Sequence, residues 1–433
     1  MVLGLSRKQI FLLRTPLGRF EIANKLFMNA WPVLRHLAKL YRAVALKRTC
    51  FVTVIGSQGK TTTSRAIAAA LGLPEYPGRE WNDFSYVALA MMRVRPSHDY
   101  AVIEVGIGGK GQMRTYAKII RPDITVVTSI SSEHNRSFGN LGVTRTEKVE
   151  MVRALAPSGI AVLNGDDQNV LWMKEQTGAR IITYGFSETN DIRATDVALD
   201  WLEGTRFRLH VNGMIKDVRT RLIGRTYVYP ILAAVAVGCA AGFSLETILT
   251  ALKDLQPTPG RLEPVRLPSG AILLRDEYKS SLETIDVALD VLAEIPARRK
   301  IVILGNVSEA PGSLRPICRR LGGRIAAVAT QAVFCGTAGQ AYAAGAARKG
   351  MPREAMTKAS DLKKVLAAIP PDLGKGDVIL VKGRNDQRLA RISLALMGRK
   401  VQCDIPTCFT FNVVKCDRCK MLERGWRGIK IKV

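Results

Sequence analysis

The chain is predicted to be an α/β protein: a central, mainly parallel-sheet domain, a smaller C-terminal α/β domain, an N-terminal helical segment and a tail with four cysteines. Three observations lead there. The β-branched run 51–55 ends in Gly56-Ser57-Gln58-Gly59-Lys60-Thr61-Thr62-Thr63 and passes into the helix-like residues 64–71, a strand–loop–helix of the P-loop kind. Residues 50–256 then alternate strand-like and helix-like runs, which implies parallel strands covered on both faces. Beyond the turn-rich Pro257-Thr258-Pro259-Gly260 the alternation resumes on a smaller scale. The domain limits read this way are 1–49, 50–256, 257–400 and 401–433.

The first fifty residues carry ten Lys or Arg and a single acid, Glu21. Between them Phe20, Phe27, Trp31, Leu34, Leu37, Tyr41 and Val44 recur at helical spacing, and Pro32 kinks the segment or divides it into two helices. A basic amphipathic segment of this kind has two uses: its apolar stripe packs on the next domain as a cap, or it lies in an anionic membrane interface.

In the central domain the strands expected after the first are 100–105, 124–129, 160–164 and 181–184. The apolar run 231–243 reads as a small-residue helix, short of the roughly 20 residues that span a bilayer. Chemistry in open α/β sheets collects at the carboxyl ends of the strands, where Thr61, Glu104 and the Ser132-Glu133-His134 corner fall. In the second domain 271–275, 301–305, 332–336 and 378–382 read as strands, with helices at 282–292 and 361–369.

The loop itself has a physical logic. Glycines let backbone N–H groups close on a polyphosphate, the helix N-terminus adds positive potential, Lys60 reaches the terminal phosphates and the Thr61 hydroxyl suits Mg²⁺. Val54 stands where the longer form of the motif has a glycine, leaving the shorter Gly-x-x-Gly-Lys-Thr form.

Composition narrows the partners. At 433 residues, 47% hydrophobic and 23% charged, the chain is globular and large enough for two or three domains. Its 64 Lys plus Arg against 37 Asp plus Glu, net +27, favour anionic ligands: nucleotides, acidic substrates, nucleic acid or a membrane face. The lack of an RNA-binding signature or of aromatic–basic interleaving argues against nucleic acid. Cys50, Cys239, Cys318 and Cys335 are scattered and read as buried reduced thiols. With no signal-peptide pattern at the start, a cytoplasmic protein is expected, with peripheral placement at the inner membrane face where the N-terminal segment docks.

The tail runs Cys403-x4-Cys408-x7-Cys416-x2-Cys419. Four thiolates arranged tetrahedrally around Zn²⁺ would stabilise a segment too short for its own core. Unligated thiols or redox pairing are the alternative.

Taken together, these motifs resemble the Mur ligase family of ATP-dependent acid–amino acid ligases over roughly residues 50–398, and within it the UDP-N-acetylmuramoyl-tripeptide:D-alanyl-D-alanine ligase branch. The loop Gly56 to Thr63, Trp81-Asn82, Ile103-Glu104-Val105-Gly106, Ser132-Glu133-His134, Phe138-Gly139, Glu147-Lys148 and Asn164-Gly165-Asp166-Asp167 follow the family order. In the last domain Gly260-Arg261, Asp276-Glu277-Tyr278, Ile303-Leu304-Gly305 and Val381-Lys382-Gly383-Arg384 do the same. The resemblance implies a carboxylate–amine ligase working through an acyl phosphate and forming ADP, with ATP and Mg²⁺ as cofactors. It implies that Gly56, Ser57, Gln58, Gly59, Lys60, Thr61 and Thr62 hold the phosphates, and that Thr61 and Glu104 ligate one Mg²⁺. By the same resemblance His134 and a carbamylated Lys148 place a second Mg²⁺, Tyr227, Asp276 and Lys382 serve the nucleotide, and Arg261 completes catalysis when the domains close.

Two departures modify these expectations. Fifty residues before the loop are too few for the family's UDP-binding domain, so the acid is expected to be a small molecule or lipid-linked, bound differently from a UDP-muramoyl peptide. Gly224-Arg225-Thr226-Tyr227-Val228-Tyr229-Pro230 replaces the family's His-Asn-x-x-Asn signature, so adenine is expected to stack on Tyr227 or Tyr229. The rival reading is an ATP-binding scaffold or partner subunit with little turnover, which the full set of Lys60, Thr61, Glu104, His134 and Lys148 disfavours.

Overall fold

The computed structural model describes residues 16–75, 81–131, 140–308, 310, 312–405, 408 and 414–425. It divides into two compact units: residues 28–258, and residues 259–433, with which the described residues before Met28 are grouped.

The chain opens with two helices, α1 (Pro16–Asn29) and α2 (Trp31–Val44), separated at Ala30. Pro32 lies in the first turn of α2, where its missing N–H costs nothing, so it starts a helix and kinks none. The single stripe expected on this segment is divided. Trp31, Leu34 and Tyr41 pack against the core, whereas Leu37 and Val44 face solvent at 50% and 65% exposure.

The first unit is built on an eight-stranded sheet. Its parallel strands are β1 (Cys50–Ile55), β2 (Tyr100–Glu104), β3 (Ile124–Val127), β4 (Ile160–Asn164), β5 (Arg180–Gly185) and β6 (Ile192–Asp200). β7 (Gly204–Val211) and β8 (Met214–Thr220) extend it antiparallel, giving the order β2-β1-β3-β4-β5-β6-β7-β8. This extension was not expected from sequence. β8 is an edge strand, with Met214 through Asp217 exposed.

Side-chain alternation along β1 separates two cores. Val52 and Val54 point toward α3 (Lys60–Ala70) and the later small-residue helix Val228–Ala240, while Phe51 and Ile55 point toward the other face. That other face is covered by α2, α4 (Phe84–Met92), α5 (Gln112–Ile120) and α6 (Leu141–Arg153). Both faces are dry, which is why the parallel strands read as continuous apolar runs.

The second unit carries a six-stranded sheet whose strands, in chain order, are β9 (Glu263–Arg266), β10 (Ile272–Asp276), β11 (Arg299–Leu304), β12 (Gln331–Cys335), β13 (Met356–Ala359) and β14 (Asp377–Lys382). Their spatial order is β13-β12-β11-β14-β10-β9, with β9 antiparallel to β10 and the rest parallel. The helix expected at 361–369 is shorter, Leu362–Ala367, capped by the Asp361 carboxylate accepting from Lys364 N. The helix expected at 282–292 runs Leu282–Glu294.

Candidate active site

The turn after β1 is closed by backbone geometry and by its neighbours. Gly56 sits at φ +140°, and a Cβ there would stand 2.0 Å from Thr128 Oγ1; Gly59, at φ +79°, is the residue before the first turn of α3. From the end of β3, Ser129 O accepts from Ser57 N at 2.7 Å and Ser129 Oγ from Gln58 N at 3.1 Å. Thr128 Oγ1 donates to Gln58 O at 2.5 Å and Ser131 Oγ accepts from Gln58 Nε2 at 3.1 Å. Thr128, Ser129 and Ser131 were not singled out from sequence; their signal is a polar run where an apolar strand stops.

Lys60, 6% exposed, turns its ammonium back onto Gly56 O at 2.9 Å and Ser57 O at 3.0 Å. Thr61 donates to Glu104 Oε1 at 3.2 Å, and Asn82 Nδ2 donates to the same oxygen at 2.6 Å. Glu104, 4% exposed, is the last residue of β2, paired beside β1, so parallel register alone brings it beside the loop. A hydroxyl and a carboxylate side by side are the hard oxygen donors that Mg²⁺ takes, and Thr61 and Glu104 fit that ion.

Lys148 lies on α6 and is 1% exposed, its amine donating to Ser57 Oγ at 3.0 Å. The neighbouring Glu147 holds Gly111 N with both oxygens, at 2.8 and 2.9 Å, fixing α6 against the loop that precedes α5. The structure therefore brings Gly56, Ser57, Gln58, Gly59, Lys60, Thr61, Glu104 and Lys148 to one carboxyl edge of the sheet. Thr62 faces away, its hydroxyl 3.0 Å from that of Thr258. His134, with the rest of its corner, lies outside the described residues.

Along the same edge Asp166 is a hub that sequence reasoning named only as part of a turn. Its carboxylate accepts from Phe186 N at 2.6 Å, Ser187 N at 3.0 Å, Asn190 Nδ2 at 3.0 Å and the Tyr229 hydroxyl at 2.9 Å. The Tyr229 ring packs edge-on to Phe186 at 4.6 Å, and the Arg225 guanidinium lies over the Phe186 ring at 4.0 Å. Tyr229 is thus engaged within the unit, while Tyr227, half-buried, packs at the margin of the core.

In the second unit Lys382, at the end of β14, pairs with Asp276, at the end of β10; the two ends are in register, with Lys382 Nζ 2.7 Å from Asp276 Oδ2. Lys382 also donates to Lys279 O at 2.7 Å, and Leu262 N donates weakly to Asp276 Oδ1. Burial pushes Asp276 up and Lys382 down, and their mutual attraction opposes both shifts. Arg261 stacks its guanidinium 4.6 Å over the Tyr278 ring. Glu277, pushed up by burial, pairs with Arg275 through Oε1 at 2.8 Å.

The four tail cysteines come together. Cys403, Cys408, Cys416 and Cys419 line one small cavity of about 20 Å³ with Arg388 and Arg391, enough space for a single ion or water. All four are unbridged, and among the described residues no group of three or more His, Cys, Asp or Glu stands close enough to hold a metal as the side chains lie. Cys403 O accepts from Arg391 at 2.9 Å, and burial pushes Cys416 up to about 11.

Sequence families place this arrangement. The Mur ligase middle domain matches residues 54–238 and the Mur ligase glutamate ligase domain matches residues 260–385. The chain belongs to the Mur ligase family. It is 30% identical over 396 residues to the UDP-N-acetylmuramoyl-tripeptide–D-alanyl-D-alanine ligase of Mycobacterium bovis, covering 84% of this chain and 77% of that one. The Escherichia coli K12 enzyme of the same name is 31% identical over 264 residues, 60% of this chain and 58% of its own length. In three dimensions a crystal structure of MurF from Acinetobacter baumannii superposes with TM-score 0.76 at 24% identity, covering 85% of this chain and 81% of that one, which shows the shared fold. As a Mur ligase the protein is an ATP-dependent, ADP-forming enzyme of the amide-bond-forming class.

Proposed function

We propose that the protein activates the carboxylate of an acid with ATP and transfers the acyl group to the amine of an amino acid or another amine. The carboxylate oxygen attacks the γ-phosphorus and ADP leaves; the amine nitrogen then attacks the acyl carbon, loses a proton and expels phosphate, leaving an amide. The observation that carries this reading is the meeting of Lys60, Thr61, Glu104 and Lys148 along one sheet edge, all four buried. Two anions must approach in the first step, so buried positive charge and oriented donors are what the reaction requires.

Each group has a part in this proposal. Lys60 leaves its loop carbonyls for the terminal phosphates, and the loop from Gly56 to Thr62 supplies N–H donors. Thr61 and Glu104 would hold Mg²⁺, which offsets charge developing on the phosphates. Lys148 serves as its carbamate beside Ser57, with His134 as its companion, and Arg261, Asp276, Lys382 and Tyr227 complete the catalytic and nucleotide contacts. We assign Zn²⁺ to the Cys403, Cys408, Cys416 and Cys419 cavity as a structural ion. The curated relatives are named for a UDP-linked muramoyl tripeptide and D-alanyl-D-alanine. For this chain we propose a small or lipid-linked acid, and a cytoplasmic enzyme working at an anionic membrane surface.

Replacing Lys148 with Ala tests the reading. Substrate-dependent ATP turnover should fall by roughly a hundredfold or more, the scale of losing one preorganised charge stabiliser. Addition of a small carboxylate should restore part of it by standing in for the carbamate, with nucleotide binding retained. Wild-type turnover in Lys148→Ala would overturn the assignment.

A further inference from the structure

Helix α2 carries one wide apolar arc, and only part of it faces inward. The inner side is anchored: Trp31 meets Tyr116 at 5.6 Å and Phe84 at 6.1 Å, Ala38 is fully buried, and the Tyr41 hydroxyl donates to Val94 O at 2.8 Å. The outer side carries Val33, Leu37, Leu40 and Val44, spaced by four, three and four residues and therefore aligned in one stripe. These four are 62%, 50%, 61% and 65% exposed. A helical cap needs only the inward part of that arc; four aligned apolar residues left open to water mark a contact surface.

The polar side of α2 borders a groove of about 650 Å³ whose charged lining is Lys39, Arg42, Lys47, Lys118, Arg121 and Asp123. Arg42 is committed internally, donating to Ile120 O at 3.1 Å, Arg121 O at 3.3 Å and Asp123 Oδ2 at 3.1 Å, and also to Leu46 O. It thereby takes up the one carboxylate of the groove and the last carbonyls of α5, the groups that would repel an anion. Lys39, Lys47, Lys118 and Arg121 are exposed and make no side-chain hydrogen bond or ion pair among the described residues. Lys39 comes from α2 and Lys47 from the turn after it, so α2 carries both the stripe and part of the groove lining.

We propose that this face docks on an anionic phospholipid leaflet, the Val33–Leu37–Leu40–Val44 stripe entering the acyl boundary and the groove taking a headgroup phosphate. The proposal rests on the reading above that the enzyme works at a membrane surface, and it names the surface and the lipid class. Apolar insertion and basic attraction reinforce each other in an interfacial helix. The placement also suits the chemistry. α2 starts at Trp31, packed on Phe84, two residues past Asn82, whose amide touches Glu104, so a leaflet lying along α2 passes close to the carboxyl edge and can present a lipid-linked acid there.

The full chain is sedimented with phosphatidylcholine vesicles and with vesicles that also contain phosphatidylglycerol, at about 0.1 M and about 0.5 M salt, where screening differs strongly. The wild type should bind the anionic vesicles alone, and less at the higher salt. K118Q/R121Q should weaken binding about thirtyfold, about fivefold for each charge removed near the surface. L37S/L40S should weaken it by at least roughly tenfold, as two leucines no longer leave water. Both variants should keep the wild-type melting temperature and turnover of soluble substrate. If the wild type binds and both variants bind equally well, this surface is wrong although the membrane reading stands. If the wild type binds no vesicle, the membrane reading falls and the proposal with it. A stripe variant that converts a wild-type dimer to monomer while vesicle binding is unchanged makes the stripe a self-association face and overturns the proposal.

Discussion

Replacing Lys382 with Met isolates a buried charge. Lys382 and Asp276 have side-chain exposures of 2% and 8%, with their charged atoms 2.7 Å apart. At that separation the attraction in a medium of effective dielectric ~20 is about 6 kcal/mol before desolvation is counted. Removing one partner of such a pair typically costs about 3–5 kcal/mol, because the other charge stays buried and uncompensated. For a unit of this size that corresponds to a fall of roughly 6–20 °C in melting temperature. Burial already pushes the Asp276 carboxyl up, and loss of Lys382 removes the main attraction holding it down. A carboxyl whose folded-state pKa is raised contributes stability below its unfolded pKa and loses it as pH rises through the folded one. The Lys382→Met protein should therefore lose more stability, relative to wild type, at pH 8 than in mild acid. Calorimetry of the full chain at both pH values measures this, and Asp276→Asn in the Lys382→Met background should restore most of the loss. A double variant as unstable as the single one, or a loss independent of pH, would refute the reasoning.

Three further outcomes are expected. Gly56→Ala, with φ at +140° and a Cβ 2.0 Å from Thr128 Oγ1, should weaken nucleotide binding at least about tenfold in titration calorimetry, since strained backbone of this kind costs on the order of 1–3 kcal/mol before the clash is counted. Asp166→Ala frees two backbone N–H groups, Asn190 and the Tyr229 hydroxyl, and should raise the KM for ATP more than it lowers kcat; an unchanged KM would separate this hub from the nucleotide. Protein purified under reducing conditions should contain about one Zn²⁺ per chain by elemental analysis, falling well below that in Cys416→Ser, and a metal-free wild type with an ordered tail would remove zinc from the account.

Much of the central sheet was legible because burial on both faces makes parallel strands continuous apolar runs, and the phosphate loop because its turn demands glycine at fixed positions. The β6–β8 extension went unread although its signal was present. Asn212-Gly213 joins β7 to β8 with both residues at positive φ, +49° and +76°, the two-residue turn that a hairpin favours. The N-terminal segment shows a different limit: on a 14-residue helix, periodicity finds an apolar stripe but cannot say how much of it faces inward. Only packing places Trp31, Leu34 and Tyr41 inside and Leu37 and Val44 outside. The link between Lys148 and Ser57 crosses 91 positions and joins a helix to the turn after a distant strand, which no local pattern encodes. Thr61 and Glu104, by contrast, stand on neighbouring parallel strand–loop units, and their meeting follows from strand order alone.

The sheet of the first unit ends on β8, whose outer margin is backbone with no strand beside it among the described residues. Such a margin is a template on which another chain can lay a strand, and crowded proteins with long apolar margins polymerise by that route. β8 carries Lys216, Asp217 and Arg219 between its apolar residues, and all three stand in solvent. A copy pairing there would have to bury these charges or set them against its own. The outermost strand thus sets its own charges against sheet-to-sheet joining at the margin it creates.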